Sequence, residues 1–353
     1  MSIVFAVLLF SLLIFIHELG HFLAAKLSGV QVNEFSMFMG PAIFKKQVGE
    51  TLYSLRCIPI GGYCAMEGED TDSDNPRSFG NAKWWRRLII LLAGPFMNFL
   101  IGILIMVIVY MPAKQFIVPV ISSFENYSTV SGDNGLQVGD RLLELDGEKI
   151  YVQSDFSMIL QLNPGDTHDL VVERNGQKVL LDDFKMERHP VEDAQGNTKM
   201  LLGMNFTLEE ASIGNKLYHA WSDTLNSVRM VRMSLQMLLT GKAGIQDMGG
   251  AVAIVHTMAE TAAASDSALD AFLNMLYFGG FIAINLAVMN LLPIPALDGG
   301  RVVSLLLTLI IEKIIGKKLD PKYEGYIHTV GMILLLALTG FIFFKDIFTI
   351  VKG

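Results

Sequence analysis

The sequence predicts a polytopic α-helical membrane protein: four transmembrane helices, a membrane-associated β-hairpin or sheet region, and a small α+β domain inserted between the second and third spans. Three observations carry this. The 353 residues are 52% hydrophobic and only 18% charged, with mean hydropathy +0.44, too apolar for an ordinary soluble domain. Four segments, about 4–26, 88–111, 271–292 and 326–349, approach the roughly 20 apolar residues that a bilayer helix needs. A long charged stretch, about 112–270, separates the second from the third.

The first span is almost entirely apolar apart from Lys26 and the segment His17-Glu18-Leu19-Gly20-His21. It lacks a basic n-region and an A-x-A site, so it reads as a retained helix rather than a signal peptide. H-E-x-x-H on a helix is a zinc-hydrolase signature. Histidines at i and i+4 share one face, and the Glu between them can act on water that the metal activates. Ionisable residues are costly in lipid and mark functional sites by default.

The loop after this span carries Lys45, Lys46, Arg56, Arg77, Lys83, Arg86 and Arg87. The connection between the third and fourth spans reads as short and Lys-rich, with Arg301, Lys313, Lys317, Lys318 and Lys322. The positive-inside rule makes both cytoplasmic, and the N-terminus, the long middle region and the C-terminus then face outside. His17 sits about 16 residues into its helix, roughly 24 Å from the outer end.

Residues 32–66 read as four short strands, Val32–Met39, Ile43–Val48, Thr51–Ile58 and Gly62–Met66. A hairpin turn is expected at Gly49-Glu50, and a bulge or close backbone approach at Gly61-Gly62. The run Ile58–Tyr63 is apolar for a cytoplasmic loop. Two readings stay open: backbone dipping to membrane depth to line a cavity, or a small surface sheet.

From about 113 to 208 the pattern is that of a small soluble domain. Phe116–Ser122 alternates like a strand. Gly135–Gly147 gives a turn, a strand and a second turn, and Ser154–Leu162 a short helix. Leu170–Arg174 and Lys178–Leu181 flank Asn175-Gly176, a strong hairpin signal. Ile213–Leu239 is amphipathic and Met-rich, a helix expected at the membrane surface, and a Gly-rich break follows at Gly241–Gly250. The domain boundaries expected are 1–111, 112–208, 209–270 and 271–353. A net charge of -8 argues against nucleic acid as a partner. The two cysteines, Cys57 and Cys64, lack C-x-x-C spacing and read as reduced thiols.

A catalytic zinc takes three protein ligands and leaves one position open. His17 and His21 supply two. Asp298, after the third span in Asn290-Leu291-Leu292-Pro293-Ile294-Pro295-Ala296-Leu297-Asp298-Gly299-Gly300, is the natural third. The prolines break the helix, and the glycines are expected to allow packing against the first span. Glu18 is expected to work as general base rather than ligand. Asn285 and Asn290 are candidate hydrogen-bond donors to the substrate or packing amides. Asn98, in Ala93-Gly94-Pro95-Phe96-Met97-Asn98, is a further intramembrane amide for packing or substrate contact. Of the other histidines only His328 falls in a span, and it reads as a packed or interfacial side chain.

These residues together resemble the site-2 protease family of intramembrane zinc metalloproteases. The resemblance rests on His17-Glu18-x-x-His21 in the first span, Ala93-Gly94-Pro95 with Asn98 in the second, and Asn290-x-x-Pro293-x-Pro295-x-Leu297-Asp298-Gly299 after the third. Gly61-Gly62-Tyr63 resembles that family's membrane-reentrant β-loop. Gly135–Gly147 looks like a segment of the PDZ domains of the bacterial RseP-like branch, here with one such domain. The resemblance implies Zn2+, a bacterial cytoplasmic (inner) membrane location, and a PDZ-like domain outside. It implies cleavage within single-span membrane proteins already cut by a site-1 protease, such as anti-sigma factors or signal-peptide remnants. Glu18 would act on the zinc-activated water, with Asn98, Asn285, Asn290, Gly61 and Gly62 toward the substrate. An edge strand in 42–66 would hold the unwound substrate by strand addition, and proline at Tyr53 or Leu55 is expected to block this. Two other classes, a catalytically inactive PDZ-bearing scaffold and a transporter, fit less well: the metal set is intact, and no duplicated halves are visible.

Overall fold

The computed structural model describes the chain apart from residues 1, 70–72, 133–134, 164, 193–197, 242–243, 245–250, 266, 318–321 and 353. Its first elements are α1 (Ser2–Leu27), β1 (Val32–Val48), β2 (Thr51–Met66) and α2 (Trp84–Tyr110). Next come β3 (Gln115–Phe124), β4 (Arg141–Leu145), β5 (Glu148–Lys149), α3 (Gln153–Leu162), β6 (Thr167–Arg174) and β7 (Gln177–Lys185). They are followed by β8 (His189–Glu192), β9 (Thr198–Leu201), β10 (Met204–Glu210) and α4 (Ile213–Leu239). The last are α5 (Ala251–Ala263), α6 (Ala268–Asn290), α7 (Asp298–Ile315) and α8 (Lys322–Lys352). They form two compact units, Met1–Val109 with Leu235–Gly353, and Tyr110–Ser234.

In the first unit, four helices are long and apolar enough to cross a membrane: Val4–Leu27, Trp84–Tyr110, Ala268–Asn290 and Thr329–Asp346. Helix α2 shows why. Phe96, Leu100, Leu104 and Ile108 form an exposed i,i+4 stripe suited to lipid, while Gly94, Asn98, Gly102 and Ile105 are buried. Ala6, Leu9 and Leu13 of α1 share a core with Met258 of α5 and Ile282 and Ala283 of α6.

Helix α5 was not expected, because at 13 residues it is too short to read as a span. Nor is the stretch between α6 and α8 merely a connection. It contains the 18-residue α7, whose Val303, Leu306, Leu307, Ile310 and Ile314 are exposed. The lysines near its end hid its helical period. Apart from Gly241 and Gly244, the Gly-rich break at 241–250 lies outside the described residues.

The four short strands expected over 32–66 are joined in pairs as two long, bent strands. Positive φ at Phe38 and Gly40 accompanies the bend in β1, and at Gly61 that in β2. Glu34–Met37 registers with Gly62–Ala65 on one side and Leu52–Leu55 on the other, while Ala42–Val48 registers with Thr51–Arg56. The free edges are therefore Ala42–Val48 and Gly62–Met66. Tyr53 and Leu55, suggested by the sequence for an exposed strand, lie inside the sheet. Arg56 pins the bends: it donates to Gly40 O (2.6 Å), Ser36 Oγ (3.0 Å), Glu34 Oε1 (2.8 Å) and Tyr63 Oη (2.5 Å). The turn at Gly49-Glu50 forms as expected, and Glu50 pairs with Lys26 at the end of α1 and with Arg77. Ser11, within the first apolar helix, donates to Pro59 O at 2.6 Å. The hairpin thus runs along α1 instead of sitting beyond its end, which favours the cavity-lining reading over a surface sheet.

The second unit is a sheet of order β10-β3-β4-β6-β7, with β5 on β4. Leu142, Leu145, Leu170 and Val172 point into one core with Phe156 and Ile159 of α3. The Asn175-Gly176 turn has both residues at positive φ (53° and 77°), as a tight hairpin requires. Asp140, 1% exposed, takes a two-pronged hydrogen bond from Arg174 at 2.8 and 2.7 Å. Strands β5, β8, β9 and β10 were not expected from the sequence. Helix α4 covers the residues expected, but its buried face is the polar one. Asp223 accepts from Tyr110 Oη, Asn226 donates to Asp155, and Arg229 donates to Lys149 O. Ile213, Leu217, Trp221 and Leu225, four residues apart, are exposed.

Candidate active site and metal centre

Helix α1 carries three of the four polar side chains at the centre of the site. His17 and His21, one turn apart, are each 8% exposed, and their Nε2 atoms lie 3.2 Å apart. Asp298 Oδ2 is 3.1 Å from His17 Nε2 and 3.4 Å from His21 Nε2. One ligand atom from each of the three residues falls within a 4.8 Å cluster. Asp298 Oδ2 is buried yet accepts no well-formed hydrogen bond. A buried carboxylate oxygen without a donor is costly, and a cation held between it and two imidazoles removes that cost. Two neutral nitrogens and one carboxylate oxygen are a catalytic zinc set, so the residues fit the metal.

Local structure brings these atoms together. Asp298 opens helix α7. The chain between α6 and α7 folds back on that first turn: a Cβ on Gly299 would stand 2.2 Å from Leu291 O, and one on Gly300 2.2 Å from Ile294 O. The two glycines thus pack against the Pro-containing loop, not against the first span as the sequence suggested. On the opposite side, a Cβ on Gly94 would lie 2.3 Å from His21 Nε2. Only glycine leaves room for that imidazole. His21 Nδ1 donates to Ile90 O at 2.8 Å, which leaves its Nε2 free for a metal.

Glu18 stands beside the cluster, and its Oε2 accepts the Cys64 N–H at 3.1 Å. The free-edge segment Gly62–Met66 therefore holds the candidate base through its backbone. A cavity of about 400 Å³ opens here, lined by His17, Glu18, His21, Tyr63, Asn290 and Asp298 among others. Glu69 and Arg301, also in its wall, form an ion pair.

The remaining expected site residues divide. Asn290 lines the cavity, its Nδ2 3.5 Å from His17 Nδ1. Asn98 is fully buried and faces His17 Nδ1 rather than the cavity, because its position on α2 points at the packed face of α1. Asn285 is not among the cavity-lining residues, and its Oδ1 is buried without a partner. Gly62 passes close to Glu18, its Cβ position 3.8 Å from Glu18 Cγ, and Gly61 supplies the positive φ of the bend. Both cysteines are free, Cys57 exposed and Cys64 buried. The sequence reading missed Gly94 as room for His21, the Cys64 amide, and the Glu69–Arg301 pair. Gly94 lay inside a recognised motif, but nothing in one dimension says which side chain fills the space.

Comparison with known proteins places the chain in a family. The model of peptidase family M50 matches residues 5–338. A protein of Clostridium acetobutylicum whose name carries the words zinc metalloprotease is 36% identical over 350 residues, covering 98% of this chain and 97% of that one. A similarly named protein of Clostridium perfringens is 36% identical over 349 residues, covering 98% of each. The regulator of sigma-W protease RasP of Bacillus subtilis is 25% identical over 431 residues, again covering 98% of each. With its four apolar helices and this site, the chain is an integral bacterial membrane zinc metalloendopeptidase and belongs to peptidase family M50, the site-2 protease family.

Proposed function

We propose that the protein cuts peptide bonds inside transmembrane segments of single-span membrane proteins, after a site-1 protease has removed the substrate's outer domain. The observation that carries this is the placement of His17, Glu18, His21 and Asp298 on and beside an apolar membrane-length helix, facing one cavity. In this reading His17, His21 and Asp298 hold zinc. When bound, zinc supplies Lewis-acid polarisation of the scissile carbonyl and makes water more acidic. Glu18 takes the proton from the attacking water and passes it to the leaving amine. Asn290, in the cavity wall, donates to the substrate carbonyl region.

A transmembrane helix hides its peptide bonds, so the substrate must unwind. The free edge Gly62–Met66 lies against Glu18 through the Cys64 amide and shares a cavity with His17, His21 and Asp298, so an extended segment added there would lie beside the residues that would hold the metal. The loop lysines and arginines orient the hairpin side toward the cytoplasm. The inserted domain, PDZ-like in its Gly135–Gly147 segment, then faces outside with both termini. The exposed Ile213, Leu217, Trp221 and Leu225 row suits α4 to the membrane surface. The name of the RasP relative, regulator of sigma-W protease, fits an anti-sigma factor as one substrate class.

The test uses purified protein in liposomes with a pre-trimmed single-span substrate. Wild type should bind about one zinc per chain and cut within the apolar segment. Cuts confined to the soluble flanks would overturn the intramembrane reading.

A further inference from the structure

The two imidazoles that converge on the metal position differ in what supports them. A histidine that binds a metal through Nε2 must carry its proton on Nδ1, and that proton needs an acceptor. His21 meets the requirement, with Nδ1 2.8 Å from Ile90 O. His17 Nδ1 instead faces two side-chain amides, Asn98 Nδ2 at 3.3 Å and Asn290 Nδ2 at 3.5 Å. Two N–H donors aimed at Nδ1 would force its proton onto Nε2, the atom 3.1 Å from Asp298 Oδ2 and 3.2 Å from His21 Nε2. That tautomer cannot bind a metal there. Meanwhile Asn98 Oδ1 is buried without a hydrogen-bond partner, and the residue is 0% exposed. The ends of a carboxamide are nearly equal in size, so a half-turn exchanges oxygen for nitrogen. One such turn at Asn98 gives the His17 Nδ1 proton its acceptor and gives the orphaned oxygen its donor. The Asn290 amide, at the long distance of 3.5 Å and in the cavity wall, then turns its N–H away from that proton.

We infer that Asn98 is a positioning residue for the metal site: its Oδ1 accepts the His17 Nδ1–H and fixes the tautomer that leaves Nε2 free for zinc. The two amides then have different work. Asn98, sealed from the cavity, sets the histidine, and Asn290, in the cavity wall, stays available to substrate. The inference rests on the reading of His17, His21 and Asp298 as the zinc ligands.

The experiment is zinc affinity of the full-length protein in detergent, by chelator competition. Wild type is compared with Asn98→Leu, Asn98→Asp and His21→Ala. Asn98→Leu keeps the approximate size but has no acceptor, and should weaken zinc binding about 10–100-fold. Asn98→Asp can accept but not donate, and should bind zinc at least as tightly as wild type. A purely structural amide would not be rescued by a carboxylate, so this variant carries the test even if Asn98→Leu fails to fold. Loss of tenfold or more in Asn98→Asp, or wild-type affinity in a folded Asn98→Leu, would overturn the inference. Unchanged affinity in His21→Ala would overturn the ligand reading itself, and is read separately from the Asn98 variants.

Discussion

At the scale of single residues, the site depends on a few atoms with no substitutes. Glu18→Gln keeps the shape and removes the proposed base. Zinc content should stay near wild type while cleavage falls about 10²–10⁴-fold, measured on the reconstituted substrate. Equal loss of zinc would show that Glu18 is a ligand instead. Gly94→Ala tests the opposite property. The new methyl would occupy space 2.3 Å from His21 Nε2, so zinc binding and cleavage should fall together, although Gly94 contributes no polar atom.

At the scale of elements, the hairpin and the inserted sheet each hang on one arginine. Arg56 joins Glu34, Ser36, Gly40 and Tyr63 across both bends. Arg56→Met should release the Gly62–Met66 edge, lowering cleavage with zinc retained; unchanged turnover would show that the bends hold without the clamp. Arg174 pairs with the buried Asp140. Removing one partner of a buried ion pair leaves the other uncompensated and costs roughly 3–5 kcal/mol. Arg174→Met should therefore lower the inserted sheet's resistance to urea, followed by hydrogen exchange in β4 and β6. A loss below about 1 kcal/mol would mean that water reaches Asp140.

At the scale of the whole molecule, charge and modularity set the behaviour. Hydrogen bonds from Arg77 and then Lys26 pull the Glu50 carboxyl down to about 2 from its ordinary 4.5. For a depressed acid, the stabilisation is complete above 4.5 and is lost as pH falls toward 2. The hairpin turn should therefore lose exchange protection, corrected for intrinsic rate, between about pH 5 and about pH 2. Glu50→Gln should abolish that dependence. The inserted domain poses a different question. Because Asn226 and Arg229 of α4 bond to Asp155 and Lys149 in the same unit, removing 113–208 alone would leave both without those partners. A deletion through residue 234 is cleaner. Cleavage of intact substrates by the shortened enzyme would make the domain a size filter, and lost cleavage of pre-cut substrates would make it a recruiter.

The sequence by itself determined the four apolar helices and the H-E-x-x-H face, because hydropathy and helical period are local properties written in consecutive residues. It also marked the turns at Gly49-Glu50 and Asn175-Gly176, where glycine with its neighbour encodes the backbone directly. Asp298 could be named only as a candidate, a carboxylate in the motif after the third span; that it comes within 3.4 Å of both histidines is a fact of the tertiary structure. Tertiary structure decided the rest. Whether Val32–Met66 lay on a surface or along the first helix turned on contacts such as Ser11 with Pro59, 48 residues apart. Which amide faces His17, what Gly94 makes room for, and which strand edge stays free are likewise set by packing between distant segments. No pattern along the chain records that packing.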